Sequence, residues 1–332
     1  MKNKKLIILL AAAFVSLMPL AAKSKKSVIT ERPERMMWQI KAPNGTEINI
    51  LGTIHITDKE TNNTLPPSVL ELVEEADFIY GELSAKDLPK CLVEVQKLML
   101  TDKPKDKNKK RIYAEDYLTE DEYQLMTEIV EKTLYEQTKN KNLSSYMIKS
   151  VLKLPPWSLS SLVQSSFYKD IGVSAENGID YIIYNAANLH NIEVQGLDKL
   201  EDQLKLLHYG TTEDQITILK ANLKQYKNQS SETKELLKKM IQAYKDDDRA
   251  GLKEIIDEEL ENDLDCEGLS KDYIKKYSDA MLKNRNTKWA KQIKKMLKTK
   301  NKKYFIFTGA AHWVGQDSVF DILVKQGVAE RQ

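Results

Sequence analysis

The chain has 332 residues, 41% of them hydrophobic, with 51 Lys and Arg against 49 Asp and Glu and only 12 Gly and 9 Pro. That balance excludes a disordered or collagen-like chain and provides no net field for nucleic acid or an anionic membrane. It suits a helix-rich globular protein large enough to bury a substantial core.

The first residues read as an export signal. Lys2, Lys4 and Lys5 precede an apolar run over 6–18, Pro19 breaks it, and the small residues Ala21, Ala22 and Ser24 suit cleavage after Ala22 or Ser24. The run is shorter than the ~20 residues that cross a bilayer comfortably. Removing 1–24 takes away four lysines and no acid, moving the formal charge from +2 to −2. The expectation is a single α/β domain over 25–332, periplasmic or extracellular, without stable membrane insertion after cleavage. Its partner would be a peptide or small-molecule substrate, with no role for nucleic acid.

Residues 37–41 and 47–50 alternate apolar and polar positions around Pro43-Asn44-Gly45, which predicts two strands and a hairpin. The second strand runs into Leu51-Gly52-Thr53-Ile54-His55. Ser68 is positioned to cap a helix over 69–76, and a strand over 78–80 ends in Gly81-Glu82. Strand, helix and strand with short joints form a unit whose strands should be parallel. The basic run 103–111 contains Pro104, Asp106 and Asn108 and reads as a solvated loop.

Thr119 with Glu122 makes a capping box for a helical stretch over 119–153, where Tyr123, Met126, Val130 and Leu134 recur at helical spacing. Pro155-Pro156-Trp157 ends it. A helix over 179–188 leads to a strand over 192–195 closed by Gly196. Residues 200–300 form a helical block, one of whose helices opens with Thr212 and Gln215 as a second capping box. A last strand over 304–307 enters Thr308-Gly309-Ala310-Ala311-His312, and a helix over 317–325 closes the chain. The fold class is therefore α/β: a mixed, largely parallel central sheet with flanking helices and the 200–300 helical block as an insertion. Cys91 and Cys266 are the only cysteines; an exported protein permits their pairing, but one bond cannot be the scaffold.

Four predicted strands end alike, at Gly52, Gly81, Gly196 and Gly309. In α/β sheets the carboxyl edge is where ligands bind, so the residues just beyond these glycines, His55, Glu82, Asp198 and His312, mark the place for chemistry. Two of the four histidines occupy equivalent positions in strand-Gly-x-x-His turns. The other two, His190 and His208, lie in polar helical contexts and read as surface residues. Two imidazoles and a carboxylate can ligate a divalent metal with an open position for water, or act without metal as a base and its orienting acid. At a sheet edge, His312 should contribute little core packing.

These motifs resemble the TraB/GumN family: Gly52-Thr53-Ile54-His55, Gly81-Glu82-Leu83, and Gly309-Ala310-Ala311-His312 with Gly315. Gly178-Ile179-Asp180, Gly196-Leu197 with Gln203, and Arg285-Asn286 followed by Trp289 extend the match across about 36–328. The resemblance implies a mixed sheet enclosed by helices, a single active centre and, for the Tiki branch of the family, metal-dependent peptidase activity. Carried over by motif, that centre is His55, Glu82 and His312 as metal ligands and catalytic groups. Arg285 would join them to steady Glu82 or a developing oxyanion. Ala311 replaces the family's usual Gly, and Asp198 stands where Glu is commoner, which puts the turn geometry and the role of Asp198 in question. The expected function is a metal-dependent hydrolase, most simply a peptidase. A binding module without turnover and a metal-free His/Glu esterase are the alternatives.

Overall fold

Ile48-Asn49-Ile50-Leu51 and Tyr304-Phe305-Ile306-Phe307 leave little solvent-exposed surface on either side of their strands. Such near-continuous apolar runs require cover on both faces, the condition of interior parallel strands. The computed structural model describes residues 26–62, 65–101, 112–139, 145–228, 231–262 and 268–332. The leader expected over 1–24, the basic run 103–111, residues 140–144 of the expected 119–153 helix, and Cys266 lie outside these. Cys91 is half-buried on the helix Asp87–Thr101.

Among the described residues, seven strands form one sheet: β1 (Ser27–Glu31), β2 (Met37–Lys41), β3 (Glu47–Thr53), β4 (Phe78–Gly81), β5 (Val194–Gly196), β6 (Lys303–Gly309) and β7 (Ala329–Arg331). Their order is β5-β4-β6-β3-β2-β1-β7. The run β5-β4-β6-β3 is parallel throughout, β2 pairs antiparallel with β3 and β1, and β7 pairs parallel with β1. The sheet is thus mixed and largely parallel. The Asn-Gly hairpin joins β2 and β3, with Gly45 at φ 84°, a left-handed conformation that glycine adopts without penalty.

Two strands escaped the sequence pattern. β1 and the three-residue β7 are short, and pairing with each other and with β2 defines them more than local composition does. Two caps also differ from expectation. The helix Pro67–Glu74 starts from Pro66 with proline in its first turn, not from Ser68, because a proline there loses no hydrogen bond. The helix Thr212–Asn228 is capped one residue earlier than expected. Thr211 and Asp214 exchange the reciprocal bonds, and Gln215 instead donates to the His208 carbonyl at 3.1 Å. The Thr119–Glu122 box forms as expected.

Around the sheet lies the main core, including Ile50, Leu51, Ile79, Ile306 and Phe307, all fully buried. At ~1.5–3 kcal/mol per buried large side chain, these central strands anchor the positions of their carboxyl ends. A second core joins the helices Glu120–Thr138, Pro156–Asp170 and Thr212–Asn228 through Met126, Val130, Leu159, Val163, Leu219 and Leu223. The described residues of the 200–300 block are mostly helical as expected, with a π-helical turn at Asp279–Lys283 just before the helix Asn284–Met296.

Candidate active site

Because β5, β4, β6 and β3 are adjacent and parallel, their carboxyl ends stand side by side. Asp198, Glu82, His312 and His55 follow those ends in the same order. Thr53 pairs with Gly309, and Gly81 with Gly196. The chain separation between the motif histidines therefore collapses onto neighbouring strands.

Glu82 is the hub. Its Oε1 accepts the Gly309 N–H at 3.0 Å and lies 3.2 Å from His55 Nε2 and 3.9 Å from His312 Nε2. Its Oε2 accepts from Arg285 Nη2, and more loosely from Gln203 at 3.4 Å. Gly309 keeps the site open: a Cβ there would stand 3.0 Å from His55 Nε2, which would have to give way, and in ordinary contact with Glu82 Oε1 at 3.5 Å. The turn itself is unstrained, since Ala310 and Ala311 keep negative φ, so the alanine in place of a family glycine does not disturb it.

Arg285, nearly fully buried, spans two carboxylates. Beyond Glu82, its Nε donates to Asp198 Oδ2 at 2.7 Å and its Nη1 to the Met281 carbonyl at 3.1 Å, within the π-helical turn. Asp198 also accepts from Trp289 Nε1 at 2.8 Å and Gln203 Nε2 at 2.9 Å. Every buried charge here is matched, as buried ion networks demand. One turn of the helix Asn284–Met296 thus supplies Arg285 to Glu82, Asn286 to His312 and Trp289 to Asp198.

The two histidines are oriented differently. His55 Nδ1 lies 2.7 Å from Asp180 Oδ2, while Thr53 Oγ1 donates to Asp180 Oδ1 at 2.8 Å. His312 Nδ1 lies 2.5 Å from Asn286 Oδ1, and Asn286 Nδ2 donates to the Asp317 carbonyl at 3.0 Å. The amide oxygen of Asn286 only accepts, so His312 carries its proton on Nδ1 and turns an Nε2 lone pair toward Glu82. His312 packs against the Trp289 ring, centroids 4.2 Å apart, and is 3% exposed. The expectation that it adds little packing is overturned, because the short helix Ala311–Val314 folds it back beneath the edge. His55 faces the cavity, its side chain 54% exposed.

Protonation follows these surroundings. Desolvation alone would lower the His55 pKa, but the charge and hydrogen bond of Asp180, helped by Glu82, hold it well above the ordinary imidazole value. Desolvation pushes the His312 pKa down to about 3, and the charges of Arg285 and His55 reinforce that against Glu82. Glu82 stays well below the ordinary carboxylate value: desolvation opposes ionisation, but His55, Arg285 and His312 outweigh it.

The centre opens into a cavity of about 430 Å³. His55, Glu82, Arg285 and His312 form its polar end, and the helical block supplies mostly aliphatic side chains elsewhere. Volume and composition fit an ordinary small-ligand site.

All four site residues named from sequence meet here. Asp180, Asn286, Trp289 and Gln203 were assigned no role by sequence reasoning, although each stands in a family-like motif. Their signal was the motif itself, and their roles required knowing which strand ends adjoin. His190 lies at the surface beside Glu74, at 3.0 Å, whereas His208 is half-buried against Trp157. Among the described residues, no group of three or more His, Cys, Asp and Glu side chains stands in the arrangement of a formed metal site. The 3.9 Å between His312 and Glu82 exceeds the roughly 3.4 Å edge of a tetrahedron with ~2.1 Å arms. In donor chemistry, the two imidazoles and a carboxylate oxygen fit a divalent cation, with His55 giving up its proton to bind. No described helix is long and apolar enough to cross a membrane.

Residues 36–331 match the TraB/PrgY/gumN family. An uncharacterized protein of Treponema pallidum (strain Nichols) is 22% identical over 324 residues, covering 97% of this chain and 90% of that one. No solved structure matches.

Proposed function

The chain belongs to the TraB/PrgY/gumN family, and from that premise we propose that it is an exported hydrolase of a peptide or other acyl bond. In this reading His55, Glu82 and His312 hold a divalent cation and Arg285 fixes Glu82. The observation that supports it most is the shared aim of the two imidazoles: with both Nδ1 atoms engaged, each Nε2 faces the same oxygen of Glu82. Histidines that ligate metals commonly pass their other N–H to a carboxylate or amide in this way. A bound cation would supply an acidified water and a Lewis acid for the acyl carbonyl.

The chain's own groups divide the remaining work. Arg285 keeps Glu82 ionised and oriented, and the Gly309 N–H holds Oε1 in place. His55, at the cavity wall, is held by Asp180 as a ligand in this reading, and only without a metal is it placed to take or return a proton at the substrate. His312 is neutral and enclosed, suited to a fixed donor atom and not to proton shuttling. Glu82, Asp180 and Asp198 outnumber Arg285 and the protonated His55, and a divalent cation displacing the His55 proton would meet that excess of negative charge. The leader-like start supports export to the periplasm or beyond.

One observation favours a second reading, a metal-free esterase. Asp180 and Glu82 flank both nitrogens of His55, so a proton on Nε2 closes the contact to Glu82 without a metal. Titration of the metal-stripped protein with zinc or manganese, followed by calorimetry, separates the two. The metal reading expects wild type and His190→Ala to bind with release of protons, and His312→Ala to lose binding. Equal binding by all three rejects it. Turnover of esters with no binding by any of them establishes the metal-free enzyme. Neither binding nor turnover, across peptide and ester panels, leaves a ligand-holding module.

A further inference from the structure

The cavity is sharply divided. Its ionisable groups converge at one end, whereas the helices Ser231–Lys245, Arg249–Asn262 and Lys271–Ser278 and the π-helical turn line the rest with Leu237, Met240, Leu252, Ile256, Met281 and Leu282. Away from the charged end, among the described residues, the helical share of the wall takes its polar side chains from Tyr168, Tyr244, Tyr277 and Ser278. The Tyr244 hydroxyl is engaged, donating to the Gly52 carbonyl at 2.8 Å. Arg285 is already shared between Glu82 and Asp198, so this end does not offer it to a carboxylate on the ligand.

A peptide entering this chamber would bring an amide N–H and a carbonyl with every residue. Buried without partners, each costs roughly 1–3 kcal/mol. The helical walls keep their own backbone groups paired internally, and β3 and β6 are interior strands with no free edge for a peptide to extend. An alkyl chain carries no such groups and gains from every methylene buried. We propose that the chamber receives the alkyl chain of an amphipathic ester or amide, with its acyl carbonyl at His55 and Glu82. This substrate class rests on the hydrolase reading above. Water adds its oxygen to the acyl carbon and the bond from that carbon to the alcohol oxygen or amine nitrogen breaks; one proton of the water leaves on that oxygen or nitrogen, and the other passes to solvent or, with an amine, to the free amine. The carboxylate left behind faces ionised Glu82, which promotes release.

Binding is tested on the full chain with N-methyl alkanamides from butanamide to decanamide, uncharged and read by calorimetry whether or not turnover occurs. Affinity is expected to rise about fourfold per added methylene, the factor equivalent to ~0.8 kcal/mol per buried CH₂. Ile256→Trp or Met240→Trp, which fill the chamber, should end that rise at shorter chains while leaving the shortest amide unaffected. A flat dependence in wild type overturns the proposal without reference to any variant, as does equal or tighter binding of an apolar tripeptide amide of matched size. A steep dependence with no hydrolysis of the corresponding p-nitrophenyl esters or anilides retains the alkyl chamber and sinks the hydrolase reading. Ester hydrolysis indifferent to chain length does the reverse.

Discussion

His55 and His312 leave the sheet at adjacent strand ends in the same four-residue motif, yet their surroundings give them opposite properties. Asp180 holds the first at the cavity wall and raises its pKa. Asn286 holds the second beneath Trp289, where its pKa falls to about 3. A carboxylate partner stabilises the imidazolium and an amide does not, so one motif yields a group that exchanges protons and another that keeps a lone pair. The motif sets position, and the partner sets chemistry.

The largest expected effects separate the two turns by what else is lost. His55→Ala should lower kcat/KM by roughly 10²–10⁴-fold, the usual cost of losing an acid–base group, with little change in unfolding at alkaline pH, where the ring is uncharged and faces the cavity. His312→Ala should lose at least as much activity and also cost ~1–3 kcal/mol in stability through the space left against Trp289. Denaturant melts beside a turnover assay check this. Equal stability of the two variants would break the contrast between an open and an enclosed histidine.

Arg285 belongs to neither turn but supports both through Glu82. Arg285→Ala leaves Glu82 and Asp198 buried without their cation and should destabilise by about 3–5 kcal/mol. Arg285→Lys should recover part of that loss, since one ammonium cannot reproduce the fork that reaches both carboxylates. Urea unfolding midpoints measure it. A change within ~0.5 kcal/mol for alanine would place Arg285 outside the network.

Much of this site was legible because repetition exposes it. Four strands ending in glycine, with His55, Glu82, Asp198 and His312 just beyond, define an edge from the order of residues alone. β1 and β7 were hidden because neither ends at a glycine or leads into an Asn-Gly turn, the marks that exposed the equally short β2, β4 and β5, and pairing alone makes them strands. Asp180 and Asn286 stayed silent for a different reason. A second partner is recognised by whom it touches, and sequence spacing does not state that Asp180 meets His55. The inward fold of His312 depends on the helix Ala311–Val314, too short to leave a periodic signature.

The pH dependence of stability should divide between the two turns in metal-stripped protein. For His312, the native pKa of about 3 lies below the ordinary 6.5, so the native state binds fewer protons than the unfolded chain as pH falls. Its contribution is present above 6.5 and declines toward 3, and the lowered pKa of Glu82 adds a further loss at the acid end. For His55 the native pKa is raised, so its contribution is present below the ordinary value and is lost as pH rises through the native one. His312→Gln should flatten the acid decline and His55→Gln the alkaline one. Interchanged behaviour would reverse the assignment.

The smallest and sharpest change is an exchange of partners. Asp180→Asn removes the charge that raises His55 and should lower its titration, followed by the ring Cε1 proton resonance in metal-stripped protein. Asn286→Asp gives His312 the carboxylate that His55 already has and should lift its titration from about 3. Each unit of movement corresponds to ~1.36 kcal/mol between protonation states, small beside the loss of either ring. Burial remains in Asn286→Asp, so desolvation should keep His312 below His55 even with matched partners. Convergence of the two titrations would mean that the partner alone decides. An unmoved His312 would mean that enclosure does, with Asn286 fixing only the orientation of the ring.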